Sequence, residues 1–380
     1  MINKKNMKKF STLLVVCFTF TAFAQTKYYP VERKNKWGYM NSEGTMILPP
    51  NFDYADEFYE GLAIVAVKNL PCVINDKGLR IIDTGLYQNI SHFSQGLASA
   101  MDFKGRRFYI NTKGEKVIIL PDDIYEARTF SEGIAVLSKK LDEHITKFGR
   151  DISTLGYRFA YINLKGEMVS DFVFEDADDI VNGYARFRQG TKFGLVNAKG
   201  QVVVKPTFDN IGNFNNGFAV VAVNGKYGYI NSEGATVIKP QFEYAYDFTE
   251  GIAGVWVSGK YGFINTAGEV KIQPTFEQIK PFSEGKAAVM KDGKWGFINK
   301  NGEWVLRNVF DNATVFSEGR CAVMVKRNWG FIDATGSLII PAEYDAVGSF
   351  HDGIADVVYR DINLYINIRG QLLPITDNKK

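Results

Sequence analysis

Residues able to do chemistry are few and scattered in this 380-residue chain. Three histidines, His92, His144 and His351, share no metal-ligand spacing on one element, so no zinc site is expected. Beyond residue 24 there are two cysteines, Cys72 and Cys321. They lie too far apart in a linear array of units to form a disulfide, and Cys321 occupies the column of Ala253 and Ala287, a small apolar place. No Gly-x-Ser-x-Gly elbow, phosphate-cradling glycine loop or calcium loop occurs. Carboxylates are plentiful, and glycan cleavage needs only two. Yet Glu250, Glu284, Glu318 and Asp352 recur at one position, and Asp209, Glu243, Glu277, Asp311 and Asp345 at another. A catalyst is needed once, so residues repeated in every unit read as acceptors for turn N–H groups. Asp176, Asp178 and Asp179 depart from the columns and read as a solvated acidic turn. The expectation is a protein that is not an enzyme and uses no cofactor or metal, with a glycan-cleaving hydrolase as the minor alternative.

Function is better sought where the columns vary. Trp256 stands where other units have Ala222, Met290, Met324 and Val358, and Trp304 where they have Val202, Thr236 and Leu338. Arg186 and Arg188 alternate along a strand whose counterparts are small or apolar. Trp and Arg are the residue types of contact hot spots, so these four are the candidate binding residues. The competing reading has both tryptophans packed between sheets.

Those columns come from an internal repeat. Asn or Asp precedes a glycine by three residues at ten places from Asn41 to Asn367, and from Asn163 onward the spacing is 34 each time. A second marker, Phe-x-(Glu/Asn/Asp)-Gly-x-Ala, with Ile180 for the Phe in one unit and Cys321 for the Ala in another, places Gly183, Gly217, Gly251, Gly285, Gly319 and Gly353 at the same interval. Ahead of the Asn, the regular units read aromatic-Gly-aromatic-aliphatic, as in Trp37-Gly38-Tyr39-Met40, Tyr227-Gly228-Tyr229-Ile230 and Trp295-Gly296-Phe297-Ile298. With these motifs the chain resembles the WG-repeat family over essentially all of its length beyond the leader. The resemblance implies an all-β repeat scaffold with interaction roles and brings no catalytic residues. Cys72, Phe108, Ala160 and Leu364 stand in place of the Trp-Gly glycine, so those units depart from the pattern.

Turn chemistry orders the strands. Asn-x-x-Gly fits a type I turn ending in a glycine of positive φ, and Asn224-Gly225, Ser258-Gly259 and Asp292-Gly293 fit type I′ hairpins. Each unit is therefore a three-stranded antiparallel meander, such as Ala219–Val223, Lys226–Ile230 and Thr236–Lys239. Pro206, Pro240 and Pro274 are expected to end the last strand. Phe208, Phe242, Phe276 and Phe310, then Phe214, Phe248, Phe282 and Phe316, are expected to fill the seams between sheets. One meander is too small to stand alone, so the fold class is an all-β tandem array of ten units of about 34 residues. With Tyr28–Arg33 as a first strand and Leu372 closing a last strand pair, each sheet is self-contained, which favours an open superhelical stack over a closed β-propeller. Residues 70–180 are the degenerate part, and about 16 extra residues near 139–156 form an insertion read as a hairpin extension.

Residues 1–24 read as processing information. Lys4, Lys5, Lys8 and Lys9 precede an apolar run ending in Ala22-Phe23-Ala24, the order of a cleaved signal peptide. The run is too short to span a bilayer, so residues 25–380 are expected to be periplasmic or extracellular, with no membrane span. Four of the 45 basic residues and none of the 42 acidic ones lie in the leader, so its removal takes the net charge from +3 to −1. That balance gives no electrostatic case for nucleic acid. The expected role is an exported, non-enzymatic scaffold that binds another protein, with a carbohydrate-binding module, and hence polysaccharide, as the alternative. The turn assignment is testable: Gly234→Val should cost about 1–2 kcal/mol, and an unchanged melting curve would refute it.

Overall fold

The structure is a computed structural model that describes residues 27–147, 150–373 and 376–377; the leader lies outside these residues. Every described regular element is a β-strand, and the strands form ten small sheets in chain order. The sixth sheet shows the plan, with strands Asn210–Ile211, Phe218–Val223, Lys226–Asn231 and Thr236–Phe242. The expected meander is there, preceded by a two-residue strand too short to leave a periodic signal. Asn224 and Gly225 have φ of 50° and 72°, as a type I′ hairpin requires. At the other hairpin Gly234 N–H donates to Asn231 O at 2.9 Å, and Asn231 Oδ1 accepts from Glu233 and Ala235 N–H.

The prolines do not stop the last strand. It runs through Pro240 because three residues, Lys239 to Gln241, loop out between the pairs Tyr229↔Ile238 and Tyr227↔Phe242. The looped backbone swings over Gly228, where an added Cβ would lie 2.4 Å from Ile238 O and 2.6 Å from Pro240 N. The glycine of the aromatic-Gly motif is thus required by close backbone approach, and the same crowding meets Gly38, Gly194, Gly262, Gly296 and Gly330. Units lacking that glycine lose the bulge. Behind Cys72 and Phe108 the last strands are the short Arg80–Ile82 and Lys116–Ile119. In the units of Ala160 and Leu364 only isolated bridges such as Ile162↔Met168 and Ile366↔Leu372 remain.

Neighbouring sheets pack face to face. Val220, Tyr229 and Ile238 of the sixth meet Ala253, Val255 and Ile264 of the seventh, with the Phe248 ring sealed between them at 1% exposure. Each such aromatic plug contributes roughly 1.5–3 kcal/mol of burial.

The array is closed, not open. Thr376 and Asp377 pair in parallel with Thr45 and Met46 of the first sheet, Tyr365 of the tenth sheet packs on Val31, Met40 and Met46, and Lys27 Nζ lies 2.7 Å from Asp352 Oδ2. The expectation of an open stack fails because closure uses residues past Leu372 and Lys27 ahead of the first strand, neither of which belongs to the repeat columns. The result is a ten-bladed β-propeller, and the sheets are blades. The insertion is a hairpin extension as read: Ile134–Lys147 and Arg150–Asn163 pair in register over 14 residues each. Elsewhere these strands have five or six residues, so the hairpin projects about 26 Å further. No helix among the described residues is long and apolar enough to cross a membrane.

Gly228→Ala tests the bulge, since the glycine has no positive φ to defend. Forcing the fourth strand away should cost about 1–3 kcal/mol in chemical denaturation, and a wild-type midpoint would show that the strand yields freely.

Candidate interaction surface

The hairpins place the repeated polar side chains at the two ends of the blades. At one end, between first and second strands, blades two to ten each carry a Glu, Gln, Asn or Asp followed by Gly in left-handed backbone; Glu250 and Gly251 have φ of 51° and 82°. The carboxylate of that glutamate reaches the same hairpin of the next blade. Glu60 accepts from Gln95 and Gly96 N–H at 2.6 and 2.9 Å, Glu132 from Gly183 at 2.7 Å, and Glu284 from Gly319 at 3.1 Å. Glu250 accepts from Gly285 and Glu318 from both Asp352 and Gly353. Gln95 Oε1 takes the Gly133 N–H, while Asn182 and Asn216 donate to Phe214 O and Phe248 O of the following blades. Asp352, at the end of the series, holds Lys27. The series is a hydrogen-bonded belt from blade two to blade ten and on to the first blade.

At the opposite end the second carboxylate column caps the hairpins within blades. Asp209 accepts from Asn224 N–H at 2.6 Å, Glu277 from Gly293 at 3.0 Å, Asp311 from Lys326 at 2.7 Å and Asp345 from Arg360 at 2.7 Å. Lys36, Lys192 and Lys294 pair with Asp53, Asp209 and Asp311, and those ammonium groups hold the three carboxyls below their usual range. Glu250, Glu284 and Glu318 of one column and Asp209, Glu277, Asp311 and Asp345 of the other are therefore occupied by backbone donors, as the repeat argument expects, while Asp352 takes Lys27.

The chemistry-bearing singletons are likewise absorbed. Cys72 and Cys321 are free thiols in the core, and burial pushes Cys321 up to about 12. His92 stacks on Tyr59 at 4.5 Å, and the His144 side chain lies outside the described residues. Asp178 pairs with Arg186; Asp179 is exposed, its carboxyl raised by desolvation, and lies 3.8 Å from Arg128, so the acidic turn is solvated at Asp179 and ion-paired at Asp178. Among the described residues no group of three or more His, Cys, Asp or Glu is arranged to hold a metal.

The four candidate contact residues fall on three blades. Arg186 on blade five donates to Asp178 at 2.9 Å and to Asn210 Oδ1 at 3.0 Å, and lies over the Phe193 ring. Arg188 donates to Glu175 at 2.7 Å and to Gly190 O at 3.0 Å. Trp304 on blade eight packs edge-on against Phe276, partly between blades, and Trp256 on blade seven packs against Tyr261 at 4.4 Å. Sequence reasoning missed the company Trp256 keeps. Tyr227, Tyr244, Tyr246, Tyr261 and Trp256 form a chain of ring contacts 5.2, 5.1, 5.8 and 4.4 Å apart. Its signal was aromatics in columns that elsewhere hold Asn210, Gln278 or Asn312.

A closed ring of repeated blades with both carboxylate columns used for backbone contacts defines a β-propeller scaffold, a class shaped to present surface. The chain belongs to the family described as WG containing repeat, which matches residues 37–70, 159–192, 193–227, 227–261, 261–295, 295–328 and 329–361. The stretch left out, 71–158, includes Cys72 and Phe108 in the glycine position. No curated protein matches the sequence. Among solved structures, BamB from Moraxella catarrhalis is similar at 10% identity, covering 89% of this chain and 92% of that one, with a TM-score of 0.35. KlHsv2 with loop 6CD replaced by a Gly-Ser linker is similar at 11% identity, 78% and 88% coverage and a TM-score of 0.31. The extracellular domain of the putative hybrid two component system BT3049 from B. thetaiotaomicron gives 8% identity, 90% and 61% coverage and 0.29. Likenesses at this level carry no functional argument.

Two measurements test these assignments. Glu284→Ala should lower stability by about 1 kcal/mol, whereas Glu284→Gly, which relieves the left-handed backbone, should cost less; equal melting of all three proteins would make the belt idle. Because the folded pKa values of Asp209 and Asp311 are depressed, their stabilisation is present above the unfolded value near 3.8 and is lost as pH falls through the folded one. Asp311→Asn should therefore flatten the acid limb of a melting-temperature profile below about pH 4, and an unaltered limb would contradict the pairing.

Proposed function

We propose that the protein is an exported, non-enzymatic scaffold that binds another protein through the free edges of its blades. The observation that carries this reading is the state of the fourth strand. It ends the sheet in blades five to nine among the described residues, and it bears exposed Val202, Val270 and Leu338 in the same column as Trp304. Apolar side chains beside unpaired backbone groups are what an added strand of a partner requires. In blade one the same edge already takes Thr376–Asp377. Export rests on the leader alone, and the lack of turnover on carboxylate columns engaged with backbone.

The test is affinity capture of partners from the source envelope with residues 25–380, repeated with Leu338→Lys and Val270→Lys, which place a charge on the edge. One enriched protein lost on both substitutions supports the reading; capture indifferent to them sinks it. N-terminal sequencing of the protein from culture should begin at Gln25, and an uncleaved Met1 would remove the export half.

A further inference from the structure

Between blades six and seven lies a groove of about 240 Å³ that the edge-binding reading leaves unused. Its walls include Tyr227 from blade six and Tyr244 and Tyr246 from blade seven, and its floor is open because Gly212 stands where other blades carry Asp178, Lys280 or Thr314. The aromatic surface continues past the groove. Tyr244, Trp256, Tyr261 and Phe276 lie directly opposite one another on four successive strands of blade seven. The same row reads Asn210, Ala222, Tyr227, Phe242 in blade six and Gln278, Met290, Trp295, Phe310 in blade eight, and among the described residues blade seven alone is aromatic throughout. Core packing does not demand this, since Tyr244 is 41% exposed and Trp256 half-buried.

Polar groups converge on the same place. Asp247 is held by Asn215 Nδ2 on its Oδ2 at 2.7 Å, while its Oδ1 overhangs the floor, 3.7 Å from where a Cβ at position 212 would sit. Asn210 Oδ1 takes the Arg186 guanidinium and the Ile211 N–H, which fixes the amide and leaves its NH₂ to donate. Burial, then the Tyr261 hydroxyl, pushes Tyr246 up to about 12, so its O–H remains a donor.

We propose that this groove binds a neutral saccharide, its pyranose C–H faces stacked on Tyr227 and Tyr244 and its hydroxyls bonded to Asp247 and Asn210. Aromatic faces carry the negative side of the ring quadrupole and attract polarised C–H groups. A sugar hydroxyl both donates and accepts, matching the carboxylate oxygen and the amide NH₂ together. A polyproline segment also suits tyrosine-lined grooves, but it has no N–H or O–H to offer Asp247 Oδ1, which it would desolvate without pairing.

The experiment is a glycan array of neutral hexose and pentose polymers probed with residues 25–380, followed by titration of the best-bound oligosaccharide and of a proline decamer, monitored by tryptophan fluorescence. Expected is binding of one glycan class, weakened about tenfold or more by Tyr227→Ala and by Tyr244→Ala and unchanged in Leu86→Ala, at an exposed site elsewhere on the ring. Asp247→Asn separates recognition from folding. Burial raises the Asp247 pKa, so ionising it opposes folding above the unfolded value, and the neutral variant should melt no lower at pH 7 while binding more weakly. No glycan bound, binding indifferent to Tyr227→Ala and Tyr244→Ala, or decamer binding lost on Tyr244→Ala would each overturn the proposal. Partner capture through the blade edges is read separately, so failure of either leaves the other standing.

Discussion

From blade two to blade nine each blade lends one side chain to the backbone of the next, and the ring depends on that hand-over. The constraint behind it is the type I′ turn, which forces Glu250, Glu284 and Glu318 into left-handed backbone at a cost of about 1 kcal/mol each. In that conformation the carboxylate of Glu284 meets the N–H of Gly319 one blade on, a charge-assisted bond that offsets the strain. A single surface bond of this kind is small, but its direction is the same at every step. The belt therefore sets the orientation in which the apolar faces meet, and burial of the phenylalanine plugs supplies the larger energy.

The opposite end of the blade obeys a different constraint, the shortness of the connection. One residue, Glu243, separates the last strand of blade six from the first of blade seven. A chain with no slack cannot choose its exit angle, and the proline bulge over Gly228 provides the bend instead. That ties three sequence features to one geometric need: the aromatic-Gly pair, the proline, and the capping carboxylate that fastens the adjacent hairpin. Blades two and three, without the glycine, have short last strands of three and four residues and follow their own spacing.

Local chemistry was legible in the sequence; contacts across the ring were not. Asn231 and Gly234, Asn224 and Gly225, and the two carboxylate columns carry their instructions within a few residues, so turn types, strand order and the structural role of the acids could be read directly. Pro240 misled because its local rule, no donor to the ladder, yields to a glycine opposite it on another strand. Closure depended on Lys27 meeting Asp352 across 325 positions, which no periodicity encodes. The aromatic surface was half legible: Trp256 stood out in its column, but Tyr244 and Tyr246 gain meaning only once cross-strand register sets them beside it.

The seam differs from the other blade junctions in its mechanics. Between blades eight and nine the chain is continuous, so pulling them apart loads a covalent backbone. Between blades ten and one there is no bond, and the junction is held by two rungs of parallel ladder, the Lys27–Asp352 pair and the Tyr365 contact. Residues 27 and 376 both sit on blade one, so tension applied through them strains the ring at its weakest joint first. The circle is then a clasped strap rather than a welded hoop, with the strength of the repeat along its length and a single place at which it unfastens.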